Sequence, residues 1–185
     1  AIWSGRLETH LGNYNVEPIK LWSSHILQFK DKLSAISSIC SLISLTMAER
    51  QPNSIIYFSS KKIIEIVASK REDWIREYVF WEMQLLSEIG YGLDLERCAV
   101  TSKSSNLAFV SPSSGRAVTN EGAGDFKNKL LPLPKFMTDF KANYDNDDIY
   151  NALNLTEFFF KKRFFLPNNL NFPQSRNRLK ELFNH

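Results

Sequence analysis

The chain has 185 residues, 43% of them hydrophobic, with 14 phenylalanines, 7 glycines, 7 prolines and a formal net charge of +3. That is enough for one good core with a small appendage, and too little glycine and proline for long disordered linkers. No apolar run reaches the roughly 18 residues of a membrane span, the opening AIWSGRLETH lacks the basic start and apolar core of a signal peptide, and two cysteines make no disulfide framework; the expectation is a cytoplasmic protein with no membrane partner.

In chain order, residues 1–20 read as a β-hairpin, with arms Ile2 to Leu7 and Tyr14 to Ile19 and a turn at Leu11, Gly12 and Asn13. A lone hairpin is marginal in water, so it packs on the rest or belongs to a larger sheet. The chain opens on Ala1 rather than Met, which reads as a fragment or a processed chain. From Leu21 the pattern becomes helical. Trp22, Ile26, Leu27 and Phe29 share one face, and Leu33, Ile36, Ile39, Cys40, Ile43 and Met47 recur at three and four. Five serines fall between Leu33 and Met47; they fill the opposite face or allow close helix packing. Cys40 then reads as a small core residue rather than a nucleophile. Gln51 to Ser54 is a turn ending in a helix N-cap, and Ile55, Ile56, Phe58, Ile63, Ile66 and Val67 belong to the next helix. A longer amphipathic helix follows from Trp74 to Ile89, stopped by Gly90 and Gly92. Four helices with short connections predict an antiparallel bundle.

Beyond it lie short β-prone runs at Cys98–Thr101 and Leu107–Val110, a Ser-Pro-Ser-Ser-Gly turn and a third run at Arg116–Val118. Prolines in KLLPLPKFM limit helix until about Lys135. DNDD caps a helix carrying Ile149, Leu153, Phe160 and Phe164, Pro167 ends it, and a last helix runs from about Pro173 to Phe183. DNDD lacks the glycine and final glutamate of a calcium loop.

Charge is unevenly placed. Residues 1–125 carry 13 basic and 14 acidic side chains, and residues 126–185 carry 10 and 6. A basic C-terminal third predicts a phosphate-rich or acidic partner, against the alternative of a solvated surface. FFFKKRFF, 158–165, interleaves aromatic and basic side chains as nucleic-acid binding requires; the competing reading is buried phenylalanines with a KKR triplet favoured at a helix C-terminus. The histidines, His10, His25 and His185, have no metal-ligand spacing, and nucleophile and Walker motifs are absent. Glu77 and Glu82, or Asp94 and Glu96, read as solvated faces rather than catalytic pairs. No enzyme activity and no cofactor are expected.

LLSEIGYGLDLERCAVT, then LAFVSPSSGRAV, then KLLPLP, in this order and spacing, resembles the C-terminal region of the RecO family of bacterial recombination mediators. WSGRLETHLGNYNVE resembles the end of that family's N-terminal domain, and FFKKRFFLP with SRNRLKELF its last helices. The resemblance implies a mainly α fold: a helical bundle over 21–185, a zinc-ribbon-like β insertion at about 98–122, and in residues 1–20 the remnant of an N-terminal OB-fold. It implies single- and double-stranded DNA, the RecR protein and the acidic tail of single-stranded-DNA-binding protein as partners, annealing and RecA loading as the activity, and nucleoid association. The positions at which some members of the family hold zinc with four cysteines fall at Cys98, Thr101, about Thr119 and about Gly122; one thiolate and two hydroxyls make no tetrahedral zinc site. The ribbon is then expected to rest on an apolar mini-core of Cys98, Val100, Leu107, Phe109 and Val118. Two strands supply too little of a five-stranded OB barrel, which leaves open a protein-interaction module that binds no DNA by itself. Expected phosphate contacts are Lys127, Lys129, Lys135, Lys161, Lys162, Arg163, Arg176, Arg178 and Lys180. Arg76, Trp81 and Leu85 are the expected tail pocket, with core burial as the competing reading for Trp81 and Leu85.

Overall fold

The computed structural model describes residues 2–6, 11–19 and 21–184. Strands β1 (Ile2–Ser4) and β2 (Asn13–Asn15) pair antiparallel with Trp3 opposite Tyr14. The hairpin exists but is shorter than its sequence pattern, and Asn13 lies in the second arm rather than in the turn. Leu7 and His10 fall outside the described residues, as does His185. Both strands are exposed along their length.

Helices α1 (Ser23–Ile26), α2 (Lys30–Thr46), α3 (Ser54–Ala68) and α4 (Trp74–Glu88) follow in the order expected. The Asn53 side chain accepts the Ile56 N–H at 2.9 Å, so the cap predicted near the Pro52 turn opens α3. At the end of α4, Gly90 adopts φ +88°, which a residue with a Cβ rarely tolerates. The Tyr91 N–H then reaches the Leu86 carbonyl (2.7 Å) and the Gly90 N–H that of Ser87 (2.9 Å), satisfying two orphan acceptors in a Schellman motif.

The buried face of α2 is Ala35, Ser38, Ile39, Leu42 and Thr46, rotated from the apolar stripe read in the sequence. Cys40 is exposed, which corrects its assignment to the core. The reason lies in what α2 meets. It packs on α7 (Gln174–Glu181), where the Ser175 hydroxyl donates to the Ser37 carbonyl (3.4 Å) and pairs with Ser41 (3.2 Å). The half-buried Ser37 and Ser41 let the backbone of α7 approach, while Ser38 faces Tyr78 of α4 and Ile39 and Leu42 stay fully buried, which leaves Cys40 on the opposite side.

The β segment contains β3 (Leu107–Val110), β4 (Ala117–Thr119) and β5 (Leu131–Pro132) in the antiparallel order β4-β3-β5. Residues 98–101, expected as a strand, form a turn because the Cys98 N–H bonds the Lys103 carbonyl and the Ser102 N–H the Cys98 carbonyl. The third strand comes instead from Leu131–Pro132. Between β4 and β5 lie α5 (Asn120–Ala123) and a 3₁₀ turn at Gly124–Lys129. Asp145 caps α6 (Asn146–Phe159) in a full capping box with Asp148, as DNDD predicted. That helix widens into a π-helical turn at Phe160–Phe165. One large core joins α2, α3, α4, α6 and α7 with Val110 and Ala117 of the sheet, and Phe159, Phe160 and Phe165 are buried in it. No helix among the described residues is long and apolar enough to cross a membrane.

Candidate nucleic-acid interface

The nine expected phosphate contacts divide sharply. Arg176 is fully buried, with 0% exposure, and its guanidinium donates to both carboxylate oxygens of the equally buried Glu82. It also donates to the Leu153 carbonyl (2.8 Å) and the Thr156 hydroxyl (3.2 Å). This removes Arg176 from any DNA-contacting surface and Glu82 from a solvated face. Glu82 further accepts from the Tyr78 (2.8 Å) and Thr156 (2.6 Å) hydroxyls. Because Tyr78 spends its one proton there, Ser38 is the donor in the 2.7 Å contact behind it. Burial first, and the Glu82 carboxylate second, push the Tyr78 phenol well above its ordinary value, so it stays a donor.

Lys180 is largely buried and bridges Glu157 at 2.8 Å; Lys161 holds the same carboxylate at 2.5 Å. Lys162 donates to the Pro112 carbonyl (2.8 Å), and Arg163 to that of Ser113. Lys162 and Arg163 therefore clamp the turn between β3 and β4 onto the end of α6. Gly115, at φ +74°, closes that turn, with its N–H on the Ser111 carbonyl at 2.8 Å.

The remaining four, Lys127, Lys129, Lys135 and Arg178, are exposed and take part in no salt bridge among the described residues. Arg178 lies on α7, away in sequence from the others. Lys127 and Lys129 come from the 3₁₀ turn, held between Thr119, which caps α5 by accepting the Gly122 N–H (3.0 Å), and β5. The Lys127 ammonium lies 5.5 Å from the Phe109 ring centroid and that of Lys129 5.7 Å from Phe126. Lys135 lines a cleft of about 490 Å³ with Lys103, Leu107, Thr119 and Glu121. Phe126 escaped notice in the sequence, although DFKNK shows the same alternation of aromatic and basic residues as FFFKKRFF.

The expected tail pocket does not form as a surface. Leu85 and Trp81 are buried core residues, and the Trp81 indole donates to Ser60 at 3.1 Å. Arg76 is mostly covered, stacked 4.0 Å from the Phe140 centroid and paired with Asp73 at 2.7 Å. An apolar cleft of about 390 Å³ opens elsewhere, between α2 and α3, lined by Trp22, Ile43, Met47, Ile56, Tyr57 and Ile64 and bearing Lys61 as its one charge.

The four positions discussed for zinc do converge. The Cys98 Sγ accepts N–H groups from Val100 (3.4 Å), Thr101 (3.3 Å) and Thr119 (3.3 Å), and lies 3.5 Å from the Thr119 hydroxyl. The Thr101 and Thr119 hydroxyls are 3.5 Å apart, and a Cβ on Gly122 would sit 3.1 Å from the sulfur. Burial pushes the thiol up, and the hydrogen bonds from Thr101 and Thr119 outweigh it, bringing its pKa down to about 6. Among the described residues no group of three or more His, Cys, Asp or Glu is placed to hold a metal. Cys98, Val118 and Ala123 form a satellite core with Leu107, Phe109 and Leu130 against it. Val100 is exposed and is not part of this mini-core, because residues 98–101 turn instead of running as a strand.

The family described as "Recombination protein O C terminal" matches residues 30–169. A DNA repair protein RecO of Ruegeria sp. (strain TM1040) is 37% identical over 161 residues, covering 87% of this chain and 66% of that protein. One from Cereibacter sphaeroides (strain ATCC 17029 / ATH 2.4.9) is 36% identical over 181 residues, 97% of this chain and 74% of the relative. A third, from Wolbachia sp. subsp. Drosophila simulans (strain wRi), is 32% identical over 187 residues, 98% and 78%. The chain thus spans 66–78% of the length of these three relatives. With the family model covering residues 30–169, from the start of α2 through the sheet and α6, and relatives 32–37% identical over 87–98% of its length, the chain belongs to the recombination protein O C-terminal family.

Proposed function

We propose that this protein is a recombination mediator in DNA repair that binds DNA and assembles partner proteins without covalent chemistry. The observation that carries the DNA-binding part is the exposed, unbridged set Lys127, Lys129 and Lys135 on the β segment, in a chain of this family. On this reading the segment at about 98–122 is a zinc ribbon that has lost its ligands, and the hairpin of residues 1–20 is the remnant of an OB-fold ahead of the helical domain at 21–185. RecR and single-stranded-DNA-binding protein are the partners, annealing and RecA loading the outcome, and the cytoplasm, at the nucleoid, the location. Fluorescence anisotropy with a labelled single-stranded oligonucleotide, across a salt series, tests it. Each neutralised phosphate contributes a slope of about −0.7 in log affinity against log salt. Lys127→Gln with Lys129→Gln is expected to flatten the slope by about 1.4. Absence of binding by the parent chain at low salt overturns the DNA-binding part.

A second reading is that of a docking module which leaves DNA to other proteins. The α2–α3 cleft supports it: apolar walls with a single lysine suit an acidic, apolar peptide tail better than a phosphate backbone. A labelled peptide of that chemistry is expected to bind with a shallow salt slope and to weaken on Lys61→Glu. Unchanged affinity in that variant removes the cleft.

A further inference from the structure

Phe126 stands out from the other aromatic side chains of the β segment. It is 65% exposed and belongs to neither apolar cluster, whereas Phe109 packs beside Cys98 and Val118. Its backbone is not loose, since it lies within the 3₁₀ turn whose end is closed by the Leu130 N–H on the Lys127 carbonyl (3.2 Å). Phe126 is followed in sequence by Lys127 and Lys129 and preceded by Asp125, and the Lys129 ammonium stands 5.7 Å from its centroid. The acids of the same stretch are Asp125 and Glu121, and Glu121 is held by Lys103 at 2.6 Å. Single exposed apolar residues are ordinary on protein surfaces. A flat ring held in a 3₁₀ turn beside two lysines that make no salt bridge among the described residues is a more specific arrangement, because it offers a π face and positive charge for phosphates together.

We propose that Phe126 is a stacking platform for an unpaired nucleic-acid base, with Lys127 and Lys129 gripping the flanking phosphates. This rests on the DNA-binding reading above and narrows it: the β segment prefers single strands, since a paired base presents no free face to the ring. Charge complementarity selects a polyanion, and the exposed ring selects one carrying aromatic groups.

The test uses the 185-residue chain with three probes of equal length: a thymidine oligonucleotide, the same strand with abasic sites throughout its centre, and a hairpin duplex. Loss of one base–aromatic stack is expected to weaken thymidine-strand binding by about 5- to 100-fold in Phe126→Ala. The same variant is expected to leave abasic and duplex affinity and the thermal midpoint unchanged, with Phe126→Trp restoring thymidine-strand binding. An equal loss on all three probes overturns the proposal, because the ring would then be supporting the turn. Unchanged thymidine-strand affinity in Phe126→Ala also overturns it; if Lys127→Gln with Lys129→Gln still weakens binding, the DNA-binding reading survives that failure. Polyglutamate competing as well as the oligonucleotide overturns base recognition in favour of an acidic protein partner.

Discussion

Replacing Glu82 by Gln strands a buried positive charge. Arg176 has no exposure, and its guanidinium donates to Glu82, Leu153 and Thr156, of which only Glu82 carries a compensating charge. Breaking one partner of such a pair costs about 3–5 kcal/mol, whereas replacing both by apolar groups is often neutral or stabilising. Here the neighbours survive the double change. Tyr78 keeps Ser38 at 2.7 Å, and the Thr156 hydroxyl keeps the Ala152 (3.3 Å) and Leu153 (3.2 Å) carbonyls. Glu82→Gln and Arg176→Met singly are therefore each expected to lose about 3 kcal/mol or more, a large share of an ordinary domain's stability. Glu82→Leu with Arg176→Met is expected to fall within about 1 kcal/mol of the parent. Urea unfolding followed by tryptophan fluorescence reads this directly, since the buried Trp81 precedes Glu82 in α4; equal slopes across variants keep the comparison valid. A cost under about 1 kcal/mol for Glu82→Gln, or a double variant no better than the worse single, refutes the reasoning.

Burial alone would raise the Glu157 carboxyl, but its bonds to Lys161 and Lys180 outweigh this and hold it below the usual 4.5. A depressed folded value gives stability that is present above 4.5 and lost as pH falls through the folded value; Glu157→Gln is expected to flatten acid unfolding below that point and to leave no difference in slope from pH 6 to 8. Gly115→Ala meets both a positive φ and Leu93 at 3.3 Å, so a loss of about 1–2 kcal/mol is expected in the same urea assay. Elemental analysis of the purified chain is expected to show no stoichiometric zinc, while Thr101→Cys, Thr119→Cys and Gly122→Cys together are expected to bind one zinc per chain and raise the thermal midpoint. Failure of that triple variant to bind removes the claim that the four positions form a ligand cage.

What the sequence disclosed was mostly local. Asn53, Gly90 and Asp145 mark helix ends through bonds to their own neighbours; Gly90 and Asp145 fall where the pattern put them, and the α3 cap sits one residue before the end of the Gln51–Ser54 turn. The phenylalanines of FFFKKRFF were legible as core by their spacing, while the role of Lys162 and Arg163 was not, because the carbonyls they meet lie 50 residues away. The face of α2 was misread for the same reason: Ser38 is buried by Tyr78 of α4, 40 residues on, and Ser37 and Ser41 are covered only when α7 returns. Arg176 counted as a surface charge until the fold brought Glu82 beside it. Trp81 and Leu85 share a helical face, as their spacing required, but the face is interior.

The Glu82–Arg176 bond joins residues 94 positions apart. On a ribosome, α4 emerges long before α7, so its carboxylate must wait in water for a counter-ion that has not yet been made. Burying it alone would cost several kcal/mol, which keeps the early helices from closing into a finished core. A chain cut short before Arg176 is therefore expected to remain soft and open to proteolysis, because its Glu82 would have no buried counter-ion.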